Sequence, residues 1–451
     1  MSGSPSLPAA VAGGVRYVSR RRTALIGAAA VLTGMLPVAP TVPAAAATAG
    51  AAATVACTPA PGSPRCQVWT GKMVWVSDGD TIAVDIAGDG TSTPKPVRFA
   101  GVQAMEQTVY SLDPQRRRGE CHSLAATARV EQLIRAGGGT VRLTAQRASS
   151  VSRGRLLRSV AVKLNGSWHD VGLNLIQRGH ALNLPFAGEW AWDATYRKAQ
   201  AKAALNRLNL FDTDRCGSGP YQHVALDLWV NSDAPGDDRV NLNGEWVRVG
   251  NPSSAAVPIG GWWVRDSGPR RYTFPAGTLV PARGAVYLHV GKGRNTSTHK
   301  YWGLTTPVFE NANGTPQGVG DGGYLFDPRG DLRAWSQYPC ELSCTSALAG
   351  KIDLQVDATS PEQVRIVNTS AAPVNLYGHV VVSPPYRYPF TSSTVLQPGA
   401  VLRLNTRAGT NTGLTRFWGT GDILNNTGDV VAVRTRQDTV VECVDWGSAS
   451  C

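Results

Sequence analysis

The chain has eight cysteines but no CxxC pair, and seven histidines but no HxxxH. Zinc sites use such spacings, so their absence argues against a zinc protein. After the first fifty residues no apolar run approaches the roughly 20 residues a spanning helix needs. The mature protein is therefore expected to lack a transmembrane segment. From Val224 onward there is no helical period, and no nucleophile, base or metal spacing. Acidic residues are also short, 32 against 44 Lys and Arg, which gives a formal charge of +12. That deficit is local: residues 66–215 hold 20 basic and 13 acidic residues, residues 216–451 hold 19 of each, and the other five basic residues precede them. A surplus confined to one segment suggests a polyanionic partner for that segment.

The opening residues read as an address. SRRR (19–22) precedes the short apolar stretch TALIGAAAVLTGMLPVA, and small residues suited to cleavage follow. This resembles a twin-arginine secretory signal, so residues 1–50 are assigned as signal and cleavage region, 51–66 as linker, and the protein as exported. An even cysteine count suits that oxidising compartment. Sequence leaves the connectivity open, but spacing suggests Cys57 with Cys66, Cys340 with Cys344, and Cys443 with Cys451. Cys121 and Cys216 remain and would staple the helical part of the basic segment. His122 reads as a solvated histidine beside a disulfide.

Within the basic segment, DGDT (78–81) lies between two strand-like runs. Gly79 is expected to turn the chain with positive φ, which makes a hairpin the simplest reading. The open question is whether Asp80 only shapes that turn or also holds a cation. TIAVDI and PVRFAGV (96–102) read as strands. CHSLAATARVEQLIRA (121–136) reads as a helix stopped by three glycines. TVRLTAQ and LLRSVAVKL are further strands, HDVGLNLIQRG a short helix, and EWAWDATYRKAQAKAALN a closing one. Five strands with a helix between the third and fourth is the pattern of an OB-fold barrel.

DGDT on a strand end, an Arg-bearing strand followed eight residues later by Glu, Gly-Arg before the last barrel strand, and the KAQAKAALNRLNLF helix together resemble the thermonuclease (staphylococcal-nuclease-like) family. The resemblance spans residues 68–213. It implies a calcium-dependent nuclease acting on DNA and RNA, preferring single-stranded or unpaired regions. Asp80 falls on the family's metal-ligand aspartate, and Arg98, Glu106 and Arg155 on its catalytic residues. Each type suits the chemistry. A hard cation on a carboxylate neutralises charge building on phosphate oxygens and orients water. Two guanidiniums grip phosphate while staying charged. A glutamate accepts or positions the proton of the attacking water.

One position departs from the family. Gln103 in VQAME stands where an acidic metal ligand is usual, leaving its amide oxygen and the Ala104 carbonyl as donors. One negative charge fewer implies weaker calcium affinity, tolerable where calcium is millimolar. The alternative is a decayed site, in a nucleic-acid-binding or cell-surface protein that uses the same barrel without strong catalysis.

The second half repeats itself. EWVRVGN (245–251) matches EQVRIVN (362–368), VPIGGWWV matches VNLYGHVV, and KYWG matches RFWG. The first copy, with NGEWVRVGN, GGWWV, YTFPAGT and GDGGYLFD, resembles the lamin tail domain, an immunoglobulin-like β-sandwich. The second resembles a degenerate version of it. The expected architecture is mainly β and multidomain: an OB-fold barrel with helices at 67–216, then two immunoglobulin-like β-sandwiches at 221–345 and 351–451. Their aromatic residues read as core, and the sandwiches as binding or spacer modules for a cell-surface ligand. Because the basic surplus and all four catalytic candidates precede Cys216, the barrel is expected to work alone.

Overall fold

The computed structural model describes residues 53–451 apart from 108–118, 218–222, 314 and 317; the signal-like segment falls outside the described residues. In chain order the basic segment forms β1 (Thr54–Ala56), β2 (Arg65–Asp78), β3 (Thr81–Ile86), β4 (Lys95–Phe99), β5 (Val102–Ala104), α1 (Ser123–Ala136), β6 (Thr140–Ala145), β7 (Val151–Ser152), β8 (Arg155–Leu164), β9 (Ser167–Asp170), α2 (Val171–Gln177), β10 (Ala181–Asn183) and α3 (Asp193–Leu205). Pairing runs β2–β3–β4–β8–β6 and returns to β2, so the sheet closes on itself. Ile82, Val84, Val97, Phe99, Leu143 and Val160 fill the inside, and α1 and α2 add Val130, Ile134, Leu175 and Ile176. β-branched residues suit the half-buried strands. Asp170 starts α2 by accepting the Leu173 N–H at 2.6 Å, which satisfies one orphan donor of the first turn.

Three local expectations need correction. Gly79 is not among the glycines with positive φ. Glycine is needed there for space, because a Cβ would lie 2.6 Å from Ala126 Cβ and 2.7 Å from Ala104 Cβ. The turn is thereby pressed onto α1 and β5. The strand expected over residues 96–102 is broken at Gly101, whose φ of 74° ends β4 and starts β5. That break sets Gln103 beside Arg98. His122 is buried rather than solvated, with φ 73°, and burial pushes its pKa down to about 4.

Three disulfides join the pairs that spacing suggests, and the fourth joins the two remaining cysteines, Cys121 and Cys216. Cys121, His122 and Cys216 cluster closely enough for a metal, but both sulfurs are spent in one disulfide. Among the described residues no helix is long and apolar enough to cross a membrane.

The second half is all strand. The first copy forms β11 (Asp227–Asn231), β12 (Trp246–Gly250), β13 (Val257–Pro258), β14 (Trp263–Arg265), β15 (Arg271–Thr273), β16 (Leu279–Val280), β17 (Ala285–His289), β18 (His299–Tyr301), β19 (Asp321–Phe326) and β20 (Leu332–Tyr338). Sheets β11-β12-β17-β18 and β15-β14-β19-β20 enclose one core that includes Leu228, Val247, Trp262, Val264, Leu288 and Leu325. The second copy has the same strand order, including the parallel pairing at the same edge.

The repeated letters are structural. Glu245 accepts the Val308 and Phe309 N–H groups, and Glu362 those of Ile423 and Leu424. Asn251 and Asn368 each donate across a turn, to Ala255 O and Val280 O in one copy and to Ala372 O and Leu396 O in the other.

Barrel and first sandwich share a core. Met105, Leu182, Ala203, Leu210 and Phe211 pack with Trp263, Tyr324, Phe326 and Leu332. Buried Arg197 donates to Tyr338 O, Pro339 O and Glu341, and Gln200 to the Tyr324 hydroxyl at 2.7 Å. The expectation of a self-sufficient barrel overlooked this apolar face, because net charge carries no information about packing.

Candidate functional site

Four pieces of chain meet at one end of the barrel: the β2–β3 turn, β4, β5 with the residues after it, and the start of β8. Asp78 and Asp80 divide the work of the turn. Asp78 Oδ1 accepts the Asp80 N–H at 3.0 Å and shapes the bend. Asp80 points inward instead, where its Oδ2 accepts the Ala104 N–H at 2.8 Å and its Oδ1 the Thr81 hydroxyl at 3.0 Å. The same Oδ1 ion-pairs with Arg98, which stands opposite Thr81 in the β3–β4 ladder. Arg98 Nη2 also donates to Gln103 Oε1 at 2.6 Å. The Gln103 amide then donates to Ala104 O at 2.8 Å and to Glu106 Oε1 at 3.0 Å. Arg155 Nη1 donates to the Thr81 hydroxyl at 3.0 Å, which links it to Asp80.

All six residues singled out in the sequence are therefore in one hydrogen-bonded constellation. Its floor is buried: Asp80, Arg98 and Gln103 are 3, 4 and 2 % exposed. Glu106 is exposed and Arg155 half-buried, so they form an accessible rim. A buried charge pair survives only when its remaining donors and acceptors are satisfied, as the Thr81, Gln103 and Ala104 bonds do here. Burial, and then the neighbouring Arg155 charge, lower the Arg98 pKa to about 10, against the pull of Asp78 and Glu106. It stays cationic at neutral pH. Burial raises the Asp78 carboxyl, with Arg98 opposing.

The donor set is all oxygen: the Asp80 carboxylate, the Gln103 amide, the Ala104 carbonyl and the Glu106 carboxylate. Hard cations such as calcium take these ligands, and soft metals do not. Ala104 O and Glu106 Oε1 already converge on the single Gln103 amino group. Rotating that amide would present its oxygen there and turn its amino group toward Arg98, whose donor that oxygen now accepts at 2.6 Å. These are the ligand types a calcium ion takes, with Asp80 as the one buried carboxylate.

Sequence reasoning missed several participants. Thr81, the T of DGDT, couples Asp80 to Arg155 and was legible from that motif. Arg153 adds to the positive field at Arg98 and stands two residues before Arg155, just ahead of the Gly-Arg pair. Glu120 carried no signal. Its Oε2 accepts the Glu106 N–H at 2.9 Å, and its own N–H donates to Glu106 O at 2.9 Å.

A cavity of about 960 Å³ lies elsewhere, between the two sandwiches, with Asp227, Arg248, Tyr377 and Arg436 on its wall. These charges satisfy one another: Asp227 Oδ2 accepts from Arg248, Arg436 and the Tyr377 hydroxyl. The cavity holds none of the groups described above, and size alone does not make it the site.

Residues 229–340 match the family model of the Lamin Tail Domain. The first sandwich is a lamin tail domain. No curated protein matches the chain. No thermonuclease family model matches the barrel, so that resemblance rests on the quoted motifs alone.

Proposed function

We propose that the protein is an exported, calcium-dependent nuclease that hydrolyses phosphodiester bonds of DNA and RNA. Its barrel is of the OB-fold type, followed by two immunoglobulin-like sandwiches. The observation that carries this reading is the convergence of Asp80, Arg98, Gln103, Ala104, Glu106 and Arg155, from four separate stretches of chain, into one constellation with a buried floor and an open rim. Arg155, at the rim, grips a phosphate oxygen with N–H groups not used by Thr81. Arg98, fixed below it, supplies a positive charge whose attraction for the phosphate grows as negative charge builds there in the transition state. Glu106, exposed beside them, takes the proton of the attacking water. Asp80, Gln103 and Ala104 would hold calcium, which when bound supplies charge neutralisation and orients water. The basic surplus of the barrel segment favours association with nucleic acid, and the thermonuclease resemblance implies single-stranded or unpaired regions of it.

A second reading has one specific observation in its favour. The Gln103 amino group bridges Ala104 O and Glu106 Oε1, so that two of the oxygens meant for the cation and its water are already satisfied. A barrel settled in that arrangement would hold nucleic acid without cutting it. Incubating the purified chain with a labelled single-stranded oligonucleotide in calcium or in chelator separates the two. Calcium-dependent fragments support the nuclease, whereas a retarded but intact strand supports the binding protein.

A further inference from the structure

The lamin tail domain reaches the candidate site. Arg271, at the start of β15, donates to Glu120 Oε1 at 3.0 Å, across 151 residues of chain. The other oxygen of that carboxylate accepts the Glu106 N–H at 2.9 Å. Glu120 N–H donates back to Glu106 O at 2.9 Å, so the two glutamates are joined by a pair of bonds. Arg271 is itself held in place: its guanidinium lies 4.7 Å over the Trp263 ring, and Trp263 stacks on Phe326 at 4.0 Å. Both rings belong to the core shared with Met105, the residue before Glu106. A second sandwich arginine, Arg265, is 1 % exposed and places its Nη1 3.7 Å from Met105 Sδ.

We infer that the lamin tail domain is a wall of the nuclease site, with Arg271 as a positioning residue that fixes Glu120 and, through it, the backbone that carries Glu106. The inference rests on the nuclease reading for its kinetic consequence, but not for its structural one. Residues 105–107 belong to no helix or strand, and the next described residue after Gln107 is Gly119. The Glu106–Glu120 clasp therefore anchors a segment that no sheet ladder holds. Charge-assisted bonds to a carboxylate are the stronger kind. Arg271 directs that carboxylate by occupying its other oxygen. Sandwich contacts on Met105 from below and Glu120 from the side give Glu106 two points of support.

The test uses the full chain with Arg271→Ala, Arg271→Lys and Glu120→Gln. Hydrogen exchange is followed over residues 102–107 and 119–121, with residues 81–86 and 155–164 as barrel controls. Cleavage of a short single-stranded oligonucleotide is measured at saturating calcium. By analogy with outer-shell partners of catalytic ligands, Arg271→Ala should lower kcat about 10-fold with KM little changed. It should also speed exchange at Glu106 and Glu120 but not in the controls, and lysine should restore most of both. Unchanged exchange at Glu106 and Glu120 overturns the inference. So does a raised KM with unchanged kcat, which would make Arg271 a substrate contact instead. Should Arg271→Ala loosen the controls as well, Glu120→Gln decides, because it keeps the side-chain length and removes the charge that Arg271 engages. Should wild type prove unable to cleave, the nuclease reading fails while the exchange measurement still decides the positioning role.

Discussion

Replacing Gln103 with Asp exchanges an amide that bridges oxygens for a carboxylate that repels them. The variant keeps an acceptor for Arg98 but loses the donors to Ala104 O and Glu106 Oε1. Two hydrogen bonds at about 1 kcal/mol each put its stability in chelator about 2 kcal/mol below wild type. Repulsion from Glu106 adds to that loss. Calcium reverses the balance. A unit charge pair 4 Å apart at an effective dielectric of about 20 is worth about 4 kcal/mol. If desolvating the new carboxylate removes two thirds of this, the remaining ~1.4 kcal/mol still tightens the calcium Kd about tenfold. Thermal unfolding across a calcium titration measures both effects. The variant should start lower and rise at about one tenth of the wild-type half-saturating concentration, gaining about 2.7 kcal/mol at 100 times its Kd. Equal half-saturating concentrations in the two proteins, or a higher one in the variant, would refute the placement of residue 103 against the cation.

Other perturbations test separate parts of the architecture. Asp193 is 1 % exposed, and burial raises its pKa to about 8, so the folded protein holds a proton that the unfolded chain releases near pH 4. Its contribution to stability is complete below that value and is lost as pH rises towards 8. Asp193→Asn should flatten this part of the pH dependence, read as a smaller drop in Tm between pH 5 and pH 8; an unchanged slope would argue against a protonated Asp193. Phe211 is fully buried in the core shared by barrel and first sandwich, and Phe211→Ala should cost about 3–5 kcal/mol. Its unfolding should destabilise both units together in calorimetry, and a barrel transition that shifts alone would contradict the shared core. A chain ending at residue 218 should melt lower than the full protein or aggregate, because Met105, Leu182, Leu210 and Phe211 lose their partners.

Much of the constellation was legible because its residue types sit in short motifs at fixed spacing. DGDT gave Asp80, VRFAGVQAME gave Arg98, Gln103 and Glu106, and the Gly-Arg before the last barrel strand gave Arg155. Three cysteine pairs followed from proximity in sequence and the fourth from what remained, and the two sandwiches from matching letters. What stayed hidden depends on tertiary contact. Gly79 was read as a turn glycine, yet the Cβ atoms of Ala104 and Ala126 are what require it. Glu120 lies in a run with no recognisable chemistry and gains its role from Glu106 and Arg271. Trp263 read as core of its own sandwich and Met105 carried no reading at all, and no periodicity distinguishes an apolar face turned inward from one turned to a neighbour.

The central claim is the hydrolytic role of the barrel constellation, and a cleavage assay comparing wild type with Arg155→Ala addresses it most directly. Arg155 is half-buried at the rim, where it donates to the Thr81 hydroxyl at 3.0 Å and to Ser152 O at 3.5 Å, so its removal should leave the melting temperature nearly unchanged. On a short labelled single-stranded oligonucleotide, wild type should cut in calcium and stop in chelator. Arg155→Ala should lose about 100-fold or more in kcat, the scale for an interaction made mainly in the transition state. Wild-type protein that binds the strand in calcium without cutting it, or an Arg155→Ala variant that cuts at the wild-type rate, would contradict the assignment.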